Sequence, residues 1–156
     1  MKIRWKTLII SLAIPLAVGA LSAFLTMGSM EHFASLEQPP LSPPGWLFPV
    51  VWTALFVMMG IASYLVFESG ATAERKSAAL KVYALQLAFN FLWSILFFNL
   101  DMYWAAFVWL LALLVLIIIT TVMFYRIRPA AAYLMIPYIL WVCFAAYLNV
   151  AIAILN

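Results

Sequence analysis

The chain has 156 residues, 69% of them hydrophobic and 8% charged, with eight Lys and Arg against five Asp and Glu. Apolar content so far above the roughly half expected of a soluble domain excludes an ordinary soluble globular protein, and no basic patch suited to DNA or RNA is present, so no nucleic-acid partner is expected. The charges leave five uncharged intervals, 7–30, 38–67, 82–100, 102–125 and 129–156, each near the ~20 residues that a spanning helix needs. The expected fold is an all-α membrane protein, a five transmembrane helix bundle forming one domain over 1–156. A barrel is excluded because the runs do not alternate polar and apolar residues.

Span 1 is expected at about 7–27. Lys2, Arg4 and Lys6 ahead of an apolar run also fit a secretory signal peptide. The run is longer than a usual signal core, however, and four further spans need a packing partner, so it is read as a retained helix. Gly19 and Ala23 form a small-xxx-small row that suits close helix contact, within the bundle or with a second copy.

Loop 1, about 27–44, is the one sizeable connection, and loops of that length in compact proteins tend to be functional. Pro39, Pro40, Pro43 and Pro44 hold its second half in rigid non-helical backbone, which suits a lid. Its His32 is the sole histidine and Cys143 the sole cysteine. No disulfide, metal site or Ser-His-Asp triad is therefore expected, and no cofactor is required.

Span 2 is expected at about 45–67, where Phe48, Trp52, Phe56, Met59 and Ser63 share a face. Span 3, about 79–99, places Tyr83, Gln86, Asn90, Trp93 and Phe97 within an arc of about 80° at 3.6 residues per turn. Span 4 is expected at about 103–125. Span 5, about 130–155, puts Tyr138, Trp141, Ala145 and Asn149 on one stripe, with Ala145, Asn149 and Ala153 as a second small-residue row. Short loops between spans 2, 3, 4 and 5 predict antiparallel neighbours. Trp5, Trp46, Tyr103, Trp104, Tyr125 and Tyr133 fall near span ends, where aromatic belts form in contact with membrane lipid.

Gln86, Asn90 and Asn149 are the amides well inside spans, and each shares a face with a tryptophan. One reading makes them interhelical hydrogen-bonding glue, worth about 0.6 kcal/mol on average. The other makes them the polar groups of an aromatic pocket for a flat hydrophobic ligand. No Asp, Glu, Lys, Arg or His lies within the uncharged intervals that form the spans, so the proton relay of a coupled transporter is missing, and five spans without a repeat argue against an inverted-repeat transporter. All eight Lys and Arg fall on one side of the membrane. The positive-inside rule places the N-terminus in the cytoplasm and loop 1 and the C-terminus outside.

The run Pro39-Pro40-Leu41-Ser42-Pro43-Pro44, then Phe48, Val51-Trp52-Thr53, Gln86-Leu87-Ala88-Phe89-Asn90, Trp93, Phe97-Phe98, Pro137-Tyr138, Trp141, Phe144-Ala145 and Leu148-Asn149 closely resembles the translocator protein family. These are the tryptophan-rich sensory proteins and peripheral-type benzodiazepine receptors. The resemblance implies a five-helix protein, commonly a homodimer, that binds porphyrins such as protoporphyrin IX in a pocket capped by loop 1. It places pocket tryptophans at Trp52 and Trp141 and the span 3 amide at Asn90. Some family members promote light-dependent breakdown of protoporphyrin, so a photo-oxidative enzyme is the alternative, and a transporter of small hydrophobic molecules a second one. In such an enzyme Trp52 and Trp141 would exchange electrons with the excited ligand. The resemblance also implies a bacterial plasma membrane. The chain departs from the usual pattern at Leu41, where a tryptophan is common, at His32-Phe33 and at Phe56.

The expected ligand site therefore lies between spans 2, 3 and 5 under loop 1. It comprises Phe48, Trp52, Gln86, Asn90, Trp93, Phe97, Tyr138, Trp141, Ala145 and Asn149.

Overall fold

The computed structural model describes residues 2–156. Five helices are long and apolar enough to span a membrane: α1 (Trp5–Thr26), α3 (Leu47–Phe67), α4 (Ala73–Ser94), α5 (Tyr103–Ile127) and α6 (Pro129–Leu155). A short helix, α2 (Met30–Ser35), lies within loop 1 after a 3₁₀ turn. α4 begins six residues ahead of the expected 79, because Thr72 caps it by accepting from Arg75 N (3.3 Å). The charges of this first turn stand outside the apolar stretch, where helix can continue in water or headgroups.

Packing follows a ring in which α1 lies against α3, α3 against α6, α6 against α5, and α5 against α4, with α4 returning to α1. The short connection 68–72 predicts α3 and α4 as neighbours, yet α3 packs chiefly on α1 and α6. Burial explains the choice. Leu55, Met59, Ala62 and Val66 of α3 are fully or nearly buried, and α1 and α6 cover them on two sides, which no single antiparallel partner could do. The second small-residue row is consumed inside the chain, Ala145, Asn149 and Ala153 all being buried, whereas in the first Gly19 faces the Phe56 ring and Ala23 is exposed.

At the basic end, Arg75 donates to Arg126 O (2.7 Å), and Lys76 Nζ donates to Phe67 O (2.9 Å) and Ser69 O (3.0 Å). Cations thus satisfy carbonyls at the C-terminal ends of α5 and α3, where the helix dipole favours them. Arg4 joins α1 to α3 here through Glu68 (3.2 Å) and the Tyr64 hydroxyl (2.9 Å). Trp5, Trp46, Trp104, Tyr125 and Tyr133 are exposed, as belt residues are, whereas Tyr103 turns inward onto Phe97.

Leu41 carries φ 71° and is exposed. A left-handed conformation costs a non-glycine residue roughly 1–2 kcal/mol, and glycine returns about 0.5–1 kcal/mol of that through extra freedom in the unfolded chain. Leu41→Gly is therefore expected to stabilise the protein slightly, read as a higher thermal midpoint in detergent. A lower midpoint would mean that the leucine side chain contributes more than its backbone strain costs.

Candidate functional site

The ring of helices leaves a large cavity of about 980 Å³ toward the loop 1 end. This lies at the upper end of the roughly 300–1,000 Å³ typical of small-molecule sites. α3 contributes Phe48, Trp52 and Phe56; α4 and the turn after it contribute Asn90, Trp93, Phe97 and Phe98; α6 contributes Trp141, Ala145 and Asn149. Eight of the ten ligand residues expected from sequence thus meet on one wall. Gln86 and Tyr138 stand behind it, both fully buried.

Those two close a hydrogen-bonded chain. Asn90 Nδ2 donates to the Tyr138 hydroxyl (2.7 Å), which donates to Gln86 Oε1 (2.7 Å), while Gln86 Nε2 faces Met59 Sδ at 3.8 Å. A second chain runs from Trp93 Nε1 to Asn149 Oδ1 (3.0 Å) and from Asn149 Nδ2 to Tyr103 O (2.9 Å). In a low-dielectric interior each donor must find an acceptor. These amides therefore tie α4 to α6 and α6 to α5. Glue and wall are the same residues at Asn90, Trp93 and Asn149.

Two polar atoms on the wall are left over. Trp141 Nε1 and Ser22 Oγ are buried and have no hydrogen-bond partner among the described residues, and both residues line the cavity. Groups of this kind are uncommon in folded proteins and often mark functional positions. No Asp, Glu, Lys, Arg or His lines the cavity, and the described residues hold no cluster of three or more His, Cys, Asp and Glu suited to a metal.

Aromatic contacts shape the walls. Trp52 stacks on Phe56 (5.6 Å between centroids, 30°), and Trp141 meets Phe48 edge-on at 6.0 Å. After α4 the chain makes a π-helical turn, Ile95–Asn99. A π-turn accommodates one extra residue per turn, so Phe97 and Phe98, adjacent in sequence, both reach the cavity. Phe33 of α2 inserts beside them, 5.9 Å from Phe97, 5.2 Å from Phe98 and 6.4 Å from Phe48.

Loop 1 covers the cavity, and four contacts hold it. Ser29 donates to Asn99 Oδ1 (2.8 Å), His32 lies 3.5 Å from Asp101, and Tyr147 donates to Pro40 O (2.7 Å). Asn156 exchanges two hydrogen bonds with the Glu37 backbone (3.0 and 3.1 Å). Of the expected lid prolines, Pro43 lines the cavity and Pro39 is buried. Pro40 and Pro44 are exposed and supply carbonyl acceptors, Pro40 to Tyr147 and Pro44 to Leu47 N (3.0 Å).

α1 is the wall that the sequence reading omits. Leu16, Gly19, Ala20, Ser22, Ala23 and Thr26 line the cavity. Their one sequence signal is the run of small residues, which serves equally as a helix-packing row.

Residues 11–155 match the TspO/MBR family. The chain is 38% identical to the tryptophan-rich protein TspO of Chlorobaculum tepidum over 151 residues, 96% of each chain. It is 39% identical to that of Archaeoglobus fulgidus over 150 residues, again 96% of each. With the Homo sapiens translocator protein it shares 36% identity over 129 residues, 82% of this chain and 76% of the other. Matched along nearly its whole length, with five apolar helices around an aromatic cavity, the chain belongs to the TspO/MBR family of multi-pass membrane proteins.

Proposed function

We propose that the protein binds a porphyrin or a similar flat hydrophobic molecule in the cavity under loop 1. The observation that carries this reading is the pairing of aromatic walls with unspent donors. Trp52, Phe48 and Trp141 offer π-faces and edges, while Trp141 Nε1 and Ser22 Oγ lie buried just off the cavity surface without a partner, so that a turn of either side chain would bring it to a ligand acceptor. An uncharged lining cannot hold a carboxylate cheaply. A macrocycle is therefore the buried part, and acidic substituents stay at the mouth beside Gln38 and Ser42. The distribution of Lys and Arg supports a cytoplasmic N-terminus with the cavity toward the outer face, and the family resemblance supports a bacterial plasma membrane and a homodimer.

Titrating protoporphyrin IX into the detergent-solubilised protein, with tryptophan emission as the readout, tests the reading. Saturable quenching is expected. Trp141→Ala should weaken binding at least about tenfold, since a buried aromatic contact with its hydrogen bond contributes upward of about 1.4 kcal/mol. Trp141→Phe and Ser22→Ala, which delete only the donors, should each cost about threefold to tenfold. Wild-type protein without a saturable signal, or Trp141→Ala binding as tightly as wild type, would overturn it. The same cavity tryptophans favour a second reading, photo-oxidation of the bound porphyrin by dioxygen. Illumination in air against a dark control would then yield a new absorbing product that disappears in Trp52→Phe/Trp141→Phe.

A further inference from the structure

We infer that the cavity is entered sideways from the membrane, through a slot between α1 and α3 in the leaflet next to loop 1, rather than by lifting the lid into water. This rests on the ligand reading above but concerns the route and the phase from which the ligand comes.

The slot is marked by residues that both line the cavity and are exposed on the surface of the bundle. On α1 these are Ala20 and Ala23, with Met27 in the turn that follows it; on α3 they are Pro49 and Thr53. Their side chains are small or apolar. The Thr53 hydroxyl is spent on Pro49 O (2.7 Å), so the slot edge presents no unmet polar group to hydrocarbon. Toward the other leaflet the same two helices are closed. Gly19 packs under the Phe56 ring, Gly60 packs on the α1 backbone at Leu12, and Arg4 joins Glu68 and Tyr64. α1 and α3 are thus clamped over one half of their length, and over the other the residues that face both cavity and surface are mostly small.

Loop 1 also carries exposed lining residues, Met30, Ala34, Gln38 and Gly45, at the mouth beside Ser42, but passage of a whole macrocycle there requires the loop to lift. Lifting it means breaking the Ser29–Asn99, His32–Asp101, Tyr147–Pro40 and Asn156–Glu37 contacts and withdrawing Phe33 from between Phe48, Phe97 and Phe98. Passage through the slot breaks none of them. A flat hydrophobic ligand partitions into lipid, so the slot opens onto the phase where it is concentrated.

The test reconstitutes the full chain in phosphatidylcholine vesicles and follows protoporphyrin IX association by stopped-flow tryptophan quenching. Ala23→Trp and Thr53→Trp, which fill the slot edge, should slow association at least about tenfold and slow dissociation with it, as a gate does. Ser29→Ala/His32→Ala/Asn156→Ala, which loosens the lid, should leave the association rate within about twofold. Faster entry in the loosened-lid variant, with no slowing in the slot variants, would overturn the inference and leave binding itself intact. Absence of any saturable quenching would instead remove the porphyrin reading. The slot is then read without porphyrin, from phospholipids with brominated chains. They should quench the share of emission lost in Trp52→Phe/Trp141→Phe, and Ala23→Phe should protect it. Equal quenching with and without Ala23→Phe would dismiss the slot.

Discussion

Tyr138→Phe is expected to cost about 1–3 kcal/mol of stability although it removes a single oxygen atom. That hydroxyl accepts from Asn90 and donates to Gln86, both at 2.7 Å. Its loss strands one donor and one acceptor at once. Hydrogen bonds within membrane bundles average about 0.6 kcal/mol, because unfolded helices in lipid also find partners. Two such bonds would give little more than 1 kcal/mol. The larger figure applies because Gln86 is fully buried and its other neighbour, the Met59 sulfur at 3.8 Å, is a weak acceptor that cannot replace the phenol. Thermal or denaturant unfolding in detergent measures the loss. The double variant Tyr138→Phe/Gln86→Leu should recover part of it, since replacing both partners with apolar groups removes the stranded acceptor. No recovery would mean that packing around the ring, rather than the polar chain, sets the cost. Porphyrin affinity should change little, because neither residue lines the cavity.

That separation of support from wall was only partly legible in the sequence. Hydropathy and charge spacing disclose the five spans because hydrocarbon admits hardly any alternative to a closed helix. Helical periodicity likewise discloses the polar-aromatic faces of α4 and α6. Periodicity assigns a face, however, and not a depth. Gln86 and Asn90 share a face one turn apart, yet Asn90 reaches the cavity while Gln86 is sealed behind Tyr138. Phe98 lies off the Asn90–Trp93 stripe at 3.6 residues per turn, and the π-helical turn at Ile95–Asn99 brings it in. No local signal in the sequence marks that turn. α1 was hidden for the opposite reason. It shapes the cavity through the small size of Gly19, Ala20 and Ala23, and a composition that leaves space looks the same as one that packs closely. The helix order was likewise hidden, since a short loop brings two helix ends together without deciding which neighbour covers the most apolar surface.

Gly60→Val is expected to reduce stability by about 3 kcal/mol or more and to weaken ligand binding, although Gly60 does not line the cavity. A Cβ at this position would stand 2.8 Å from the Leu12 Cα and 2.9 Å from Ser11 O. Ser11 is four residues before Pro15, whose ring supplies no N–H, so its carbonyl lacks the usual helical partner. α3 lies against α1 at this point. The obstacle is backbone, so α1 as a whole must shift to admit the added atoms. Gly19 makes the contrast: a Cβ there meets the Phe56 ring at 2.6 Å, and a side chain can turn where a backbone cannot. Gly19→Ala should therefore cost less stability than Gly60→Val. Because α1 is the least embedded of the five spans, displacing it moves Leu16, Ala20, Ser22 and Ala23 together and dissolves one wall of the site. Unfolding midpoints and porphyrin titration of the same preparation measure both losses. Adding Leu12→Ala should not rescue Gly60→Val, since trimming that side chain leaves the Leu12 Cα and the Ser11 carbonyl in place. Full rescue would show that the crossing is limited by the leucine side chain, and that the clamp between α1 and α3 is softer than the close approach at Gly60 implies.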